Sequence, residues 1–259
     1  MSNITIRIPK EESERVKLEL LRQGFYERKT SDTLWSLSNG NTHALFYPSG
    51  TLLLQGKEAI DLKELILSQI EVPNKVFVGC DESGKGDIFG PLVLCCAIIK
   101  PDYYRKVLEL NLRDCKRMKD EEVIRKAGLF RSFGEFLCRT IEPLELNKMH
   151  ESIGNLNRIL DRLYGNLLEE LMERYPYADF LLDAYSAKSP FGDRVAFKTK
   201  GEEDLSVAVA SVLARAEFLS WLKANGLPKG SSLESMSLAR RIYQQGPHEA
   251  KKFLKTFFL

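Results

Sequence analysis

The chain has 259 residues, of which 44% are hydrophobic and 29% are charged, and its formal net charge is +2. This composition is typical of one large or two ordinary globular domains and excludes a long disordered or low-complexity protein. No apolar run approaches the roughly 20 residues that span a bilayer, and the N-terminus lacks a signal-peptide core behind a basic start. We therefore expect a soluble, cytoplasmic protein.

The charges are distributed unevenly along the chain. Residues 1–72 hold nine Lys and Arg against ten Asp and Glu, whereas residues 215–259 hold eight against three. A basic C-terminal surface suits a polyanion that is held by its backbone. A solvated helix face that happens to be basic explains this segment equally well when it is considered alone.

The cysteines and histidines argue against a disulfide framework and against a zinc site. The five cysteines are odd in number and include no Cys-x-x-Cys pair. They are Cys80, Cys95, Cys96, Cys115 and Cys138. Since most lie in or beside apolar segments, we expect reduced core cysteines that behave as small hydrophobic residues. The three histidines are scattered, so any metal should be a hard cation held by carboxylates.

The first 72 residues predict a small α+β domain with the element order βαββββα. Isoleucines that alternate from Ile4 predict the first strand, and a charged stretch that ends at Gly24 predicts an amphipathic helix. The remaining predicted elements are strands at 25–29, 33–37, 42–46 and 51–55 and a helix at 59–70. A short Pro-containing linker follows, so we place the first domain at residues 1–72 and a second at 73–259.

The stretch from Val76 to Ile99 predicts two strands joined by a glycine-rich turn. Two adjacent acids, Asp81 and Glu82, end the first strand, and a strand directs successive side chains to opposite faces. Because buried carboxylates are costly unless they are paired or bound to a metal, this pair indicates a functional site. The turn offers backbone amides and Lys85 to an anion such as phosphate. The alternative is a solvated loop in which Asp81 caps a turn.

A second strand that ends in an acid is predicted at 179–183, where Asp183 repeats the arrangement at Asp81. Helices are predicted at 103–110, 144–173 and 205–221. The last of these is rich in small residues, which would let it pack closely on a sheet. We therefore expect the two acid-bearing strands to belong to one sheet with helices around it.

Residues 81–91, Asp-Glu-Ser-Gly-Lys-Gly-Asp-Ile-Phe-Gly-Pro, resemble the signature of the type 2 ribonucleases H, and the Gly-Lys-Gly form is similar to the HIII subtype. Residues 42–57 resemble a repeat of the TATA-box-binding-protein fold, which that subtype carries as an N-terminal substrate-binding domain. The resemblance continues through 227–232 to the C-terminal tail. It implies an α/β ribonuclease H-like catalytic domain with a mixed central sheet, preceded by a small α+β TATA-binding-protein-like domain.

The resemblance also implies an endonuclease that cleaves the RNA strand of RNA–DNA hybrids with two Mg²⁺ ions, for which Mn²⁺ can substitute. The products would carry 5′-phosphate and 3′-hydroxyl ends. The implied catalytic and metal-binding acids are Asp81, Glu82, Asp183 and Glu202, with Glu203 and Asp204 as alternatives to Glu202. The implied substrate-binding residues are Ser83, Gly84, Lys85, Gly86, Lys116, Asn155, Asn157 and Lys200. Asn155 could equally cap a helix.

Two alternative functions and two further expectations complete the prediction. The first alternative function is incision at single ribonucleotides in DNA, as in the HII subtype, which usually carries Gly-Arg-Gly in the turn. The second is a non-catalytic protein that binds hybrids or DNA. Separately, the N-terminal domain could be a structural cap instead of a substrate-binding domain. We expect a monomer that needs no membrane and no obligate protein partner.

Overall fold

A computed structural model of the chain describes residues 2–112, 115, 118–201 and 204–259. Two compact units result, one formed by Met1–Asn74 and Pro101–Arg113 and the other by Lys75–Lys100 and Asp114–Leu259. The sequence interpretation placed all residues beyond the linker in the second domain. In the structure, the Pro101–Arg113 segment packs with the first unit instead.

An antiparallel sheet with helices on one face forms the first unit. The elements are β1 (Ser2–Arg7), α1 (Ser13–Arg22), β2 (Tyr26–Glu27), β3 (Trp35–Ser38), β4 (Thr42–Phe46), β5 (Thr51–Gly56), α2 (Ala59–Gln69) and α3 (Tyr104–Glu109). The strand order is β1-β5-β4-β3-β2. The predicted order βαββββα is therefore confirmed, and this unit fits a TATA-binding-protein-like domain.

The period-two pattern of the strands gives this sheet two different faces. In β5, Leu52 and Leu54 are fully buried against the helices, while the residues between them are only half-buried. Gln55 lies beside Asn3 of β1 on one side and His43 of β4 on the other. A row of polar side chains thus crosses the less buried face.

A mixed sheet forms the centre of the second unit. The elements are β6 (Phe77–Ser83), β7 (Leu92–Ile99), α4 (Asp120–Arg131), β8 (Glu135–Ile141), α5 (Pro143–Ile153), α6 (Leu156–Arg174), β9 (Asp179–Asp183), β10 (Val195–Lys198), α7 (Leu205–Asn225), α8 (Leu233–Gln245) and α9 (Pro247–Ala250). The strand order is β10-β9-β6-β7-β8. β6 pairs in parallel with β9 and antiparallel with β7, so the predicted mixed sheet is confirmed. The predicted helix at 144–173 is two helices, because Gly154 adopts a left-handed conformation that ends α5.

Helices cover both faces of the central strand β6. On one face α7 lies so close to Gly79 that a Cβ there would be 2.2 Å from Val207 N. On the other face, Val78 and Cys80 pack in an apolar cluster with Tyr164 of α6. By length and composition α7 could cross a membrane, but 72% of its apolar stretch is buried in the fold, as in the core helix of a globular protein.

The cysteines differ from the expectation of reduced thiols, which is wrong for four of them. Cys80 is bonded to Cys96, and Cys95 is bonded to Cys138. Each pair faces across neighbouring antiparallel strands, with Cα atoms 4.1 Å apart. The partners are 16 and 43 residues apart along the chain, so only the strand register brings them together.

Candidate active site

Parallel pairing of β6 and β9 brings two predicted acids to one edge of the sheet. Cys80 of β6 lies directly beside Leu182 of β9. The next residue on each strand is an acid, Asp81 and Asp183, and the carboxyl ends of parallel strands meet at the same edge. The sheet topology therefore brings together two side chains that are about a hundred residues apart in the sequence.

The Asp81 carboxyl is strongly perturbed. Burial raises its pKa to about 8, with the negative charges of Glu82 and Asp183 contributing in the same direction. Hydrogen bonds from the Ser211 side chain and from Glu82 N, the latter 2.7 Å from Asp81 Oδ1, oppose the rise in this pKa. Asp81 is therefore a carboxylate that needs a compensating positive charge in order to ionise at neutral pH.

Glu82 shares this environment but has two stabilising neighbours. Burial raises its pKa, while the Tyr164 hydroxyl, which donates to Glu82 Oε2 at 2.9 Å, and the charge of Lys85 lower it. Tyr164 is fully buried, and burial together with the Glu82 charge raises the pKa of its hydroxyl well above the usual value. Tyr164 thus serves as a fixed hydrogen-bond donor to Glu82.

A short loop between β10 and α7 holds Asp183 in place. Gly201 N donates to Asp183 Oδ1 at 2.7 Å, and a Cβ on Gly201 would lie only 3.1 Å from that oxygen. Lys200, which precedes it, is exposed and has a positive φ of 59°. The predicted substrate-binding residue Lys200 therefore directly precedes the residue whose N–H binds the Asp183 carboxylate.

The glycine-rich turn lies along the same edge. Gly84 has a φ of 87°, and a Cβ there would be 2.2 Å from Pro91 O, so the turn requires glycine at this position. Lys85 Nζ donates to Tyr185 O at 3.1 Å and lies 5.3 Å from the centre of the Tyr185 ring. The Tyr185 hydroxyl in turn donates to Asp161 Oδ1 at 2.7 Å. Lys85 is thereby directed along the edge that carries the acids.

These side chains surround a cleft of about 340 Å³. It is lined by Asp81, Glu82, Ser83, Gly84, Lys85, Gly86, Asp87, Cys115, Asp183, Ser211 and Arg215. The three predicted acids of the two strands and the predicted turn residues are thus found together. The Cys115 Sγ lies 3.0 Å from Ser211 Oγ.

The remaining predicted site residues fall elsewhere. Glu202, its alternative Glu203 and Lys116 lie outside the described residues, so their assignments stay predictions. The other alternative, Asp204, caps α7, because its Oδ1 accepts from the backbone N–H groups of residues 206 and 207. Asn155 caps α6 by accepting a hydrogen bond from the N–H of residue 158, which is the helix-capping alternative given for it above. Asn157 lies in the first turn of that helix.

Sequence reasoning missed three residues around the acids. Ser211 and Arg215 lie on α7, whose small residues had been interpreted only as packing. Arg215 Nη2 donates to Asp120 Oδ1 at 3.2 Å, and its Nε is buried with no hydrogen-bond partner among the described residues. Tyr164 had no local signal at all, since its contact with Glu82 spans 82 residues.

The carboxylate oxygens of Asp81, Glu82 and Asp183 are suitable ligands for a hard divalent cation. Within residues 2–112, 115, 118–201 and 204–259, no group of three or more His, Cys, Asp or Glu side chains is arranged to hold a metal ion. Burial nevertheless raises the pKa values of Asp81 and Glu82, and the charge of Asp183 acts in the same direction on both, as expected of anionic groups that lack a compensating charge. Their oxygen donors are those that Mg²⁺ and Mn²⁺ prefer.

Comparison with known proteins gives consistent results for sequence and structure. Residues 78–258 match the family described as Ribonuclease HII. The chain is 37% identical to ribonuclease HIII of Aquifex aeolicus over 98% of each protein. The crystal structure of Aquifex aeolicus RNase H3 superposes with a TM-score of 0.65 at 35% identity, covering 99% of this chain and all of that one. Bst-RNase HIII in complex with Mn²⁺ shares the fold, with a TM-score of 0.65, 22% identity and coverage of 98% and 95%.

Proposed function

This chain belongs to the type 2 ribonuclease H family, on its ribonuclease HIII branch, and from that membership we propose that it cuts the RNA strand of RNA–DNA hybrids at many positions. It is an endoribonuclease, a hydrolase of phosphodiester bonds. The proposal rests chiefly on one observation, the meeting of Asp81, Glu82 and Asp183 at one edge of the mixed sheet. A non-catalytic binding protein would have no need to bring Asp183 next to two buried acids whose pKa values are already raised.

Asp81, Glu82 and Asp183 would hold two divalent cations, Mg²⁺ or Mn²⁺, with Glu202 as the proposed fourth ligand. When bound, two such ions supply the positive charge that lets the carboxylates ionise together and the Lewis acidity that in-line displacement at phosphorus requires. Hydrogen bonds from neighbouring residues orient two of these acids. Tyr164 keeps Glu82 oriented, and the backbone N–H of Gly201 keeps Asp183 oriented. Hydrolysis in this geometry would leave 5′-phosphate and 3′-hydroxyl ends.

The glycine-rich turn would hold the RNA strand against these acids. Gly84 and Gly86 carry no side chain, so the sugar-phosphate backbone can approach their peptide groups closely. Contacts from this turn to 2′-hydroxyl groups would distinguish RNA from DNA, together with Ser83. Lys85 would bind phosphates on either side of the cut bond together with Arg215, whose buried Nε has no hydrogen-bond partner among the described residues. Lys200 is exposed and precedes Gly201, whose N–H binds Asp183, so it would contact the same strand.

We propose that the first unit adds affinity for the hybrid through the less buried face of its sheet. Asn3, Gln55 and His43 are neighbours there, and polar side chains of this kind contact phosphate and sugar oxygens. A double substitution, Gln55→Ala with His43→Ala, should raise KM and leave kcat unchanged. It is a cleaner test than deletion of residues 1–72, because Pro101–Arg113 packs within the same unit and would lose its support.

The function is tested by Mg²⁺-dependent cleavage of three labelled duplexes: an RNA–DNA hybrid, DNA with a single ribonucleotide, and plain DNA. Asp81→Asn is the inactive reference, because an amide neither carries the charge nor binds the cations as a carboxylate does. Cleavage at many positions of the hybrid alone, absent in Asp81→Asn, is the expected result. End analysis with a phosphatase and a polymerase checks for 5′-phosphate and 3′-hydroxyl groups.

Two outcomes would contradict the proposal. Incision mainly beside the lone ribonucleotide would assign the chain to repair of single ribonucleotides, as the HII subtype performs. Retained binding with no cleavage of any duplex would make the acids structural and the chain a binding protein.

A further inference from the structure

The glycine-rich turn is held from behind by a single lysine far along the chain. Lys255 is fully buried, and its Nζ donates to the carbonyl oxygens of Asp87, Phe89 and Gly90 at 2.8, 3.2 and 2.6 Å. An ammonium group has three N–H donors, so these three carbonyls use all of them. Burial of a lysine among neutral acceptors is costly and is not expected of a residue that merely fills space.

Two further donors complete the same row of acceptors. Lys255 N donates to Ile88 O at 2.8 Å, and Ser231 Oγ donates to Gly86 O at 2.7 Å. The backbone oxygens of Gly86 to Gly90, which we call the carbonyl edge, are therefore all engaged by Lys255 or Ser231. Residues 84–87 of the same turn line the catalytic cleft. One side of the turn is thus fixed by the protein, and the other side borders the cleft.

Lys255 is itself held rigidly. Asn147 of α5 is buried, and its Nδ2 donates to Leu254 O at 2.8 Å while its Oδ1 accepts from Thr256 N at 2.8 Å. The residues on both sides of Lys255 are therefore anchored to one side chain. Burial lowers the pKa of Lys255 to about 7, with the charge of Asp87 acting in the opposite direction. The energetic cost of keeping this group in place is consistent with a specific role.

We infer that Lys255 is a positioning residue for the reaction: it holds the carbonyl edge, with Ser231, so that Gly84, Lys85 and Gly86 meet the RNA strand in a fixed conformation. This inference rests on the proposed function, since it assumes that the turn binds substrate. Nothing in the sequence distinguishes Lys255 from the other basic residues of the tail. Its contacts do.

The test compares Lys255→Met, which keeps the length of the side chain but removes its donors, with Lys252→Met. Lys252 lies in the same segment but is exposed, and its side chain forms an ion pair only with Glu249 among the residues that the structure describes. Steady-state cleavage of an RNA–DNA hybrid is measured at a temperature where thermal denaturation shows each variant to be folded. For Lys255→Met, KM should rise about tenfold while kcat falls less than about threefold, because lost binding common to ground and transition states raises KM alone. Lys252→Met should match the wild type.

The outcomes separate a positioning role from a structural one. A lower melting temperature with unchanged KM in folded Lys255→Met would overturn the inference. If Lys255→Met does not fold, exposed Ser231→Ala decides, because it removes one donor to the carbonyl edge without disturbing the core. A raised KM in Ser231→Ala supports the inference, and an unchanged KM overturns it. Failure of the wild type and Lys252→Met to cleave the hybrid would instead refute the proposed function.

Discussion

Asp81→Asn should stabilise the metal-free protein at pH 8 and have little effect on its stability at pH 4. The pKa of Asp81 is raised to about 8 in the folded state, whereas an aspartate in an unfolded chain has a pKa of about 3.9. Between these values the folded protein keeps a proton that the unfolded chain has lost. Stability therefore falls as the pH rises through this window and is fully present only below the unfolded-state pKa.

The size of the effect follows from the shift. About four pKa units at 1.36 kcal/mol each correspond to stabilisation of order 5 kcal/mol for removal of this ionisation at pH 8. For a domain of 150–250 residues that is roughly 10–20 °C in melting temperature. Asparagine can still accept the hydrogen bond from Glu82 N, so the local geometry should survive. Mg²⁺ should raise the melting temperature of the wild type at pH 8 and not that of the variant.

The measurement is urea denaturation in the presence of a chelator at pH 4, 6 and 8, with Asp193→Asn as the control. Asp193 is an exposed aspartate outside the cleft, so the control should differ from the wild type by the same small amount at each pH. A stability gain of Asp81→Asn that does not grow between pH 4 and pH 8 would refute the reasoning. So would destabilisation by Asp81→Asn at pH 8.

Three other predictions concern the surroundings of the acids. Their effects on stability are measured by denaturation with a chelator present, and the activity profile in the first is measured with Mg²⁺ present. Tyr164→Phe removes the buried hydrogen-bond donor to Glu82, so it should lower the free energy of unfolding by about 1.5–3 kcal/mol. It should also raise the pKa of Glu82 further and thereby move the acid limb of the pH–activity profile to higher pH. An unchanged acid limb would contradict this prediction. Gly79→Ala should cost about 3 kcal/mol or more, because its Cβ would lie 2.2 Å from Val207 N of α7. Gly128→Ala, at an exposed position of α4, should be neutral or stabilising, and equal effects of the two substitutions would contradict the argument. A double alanine substitution that removes the Cys95–Cys138 disulfide, whose partners are 43 residues apart, should lower the free energy of unfolding by up to about 4 kcal/mol, because the unfolded chain gains entropy. An unchanged stability would show that β7 and β8 need no crosslink.

Local signals in the sequence account for most of the fold that was predicted. The alternation from Ile4, the helix that ends at Gly24 and the two strands that end in an acid all depend on neighbours within a few residues. Such signals are visible without knowledge of the tertiary structure. They were sufficient for the elements of residues 1–72 and for the strands that carry Asp81 and Asp183, but not for the Pro101–Arg113 segment of the first unit.

What the sequence could not provide depends on contacts between distant segments. β8 was missed because Glu135–Ile141 is an edge strand with little apolar alternation and only one fully buried residue. The disulfides require the register of three strands, which no spacing of cysteines reveals. Lys255 counted as one of the basic residues of a solvated tail, yet it is buried against the turn some 165 residues earlier. Tyr164 was hidden in the apolar face of α6 for the same reason.

The long separation between the turn and Lys255 also sets an order of events during synthesis. The strand that carries Asp81 leaves the ribosome early, but the donors to the carbonyl edge follow about 165 residues later. At 5–20 residues per second, that interval is on the order of ten to thirty seconds. Throughout it, the turn beside the acids must be solvated by water instead of being held by Lys255. Asp81 and Glu82 are therefore synthesised well before the lysine that, on the inference above, fixes the turn beside them.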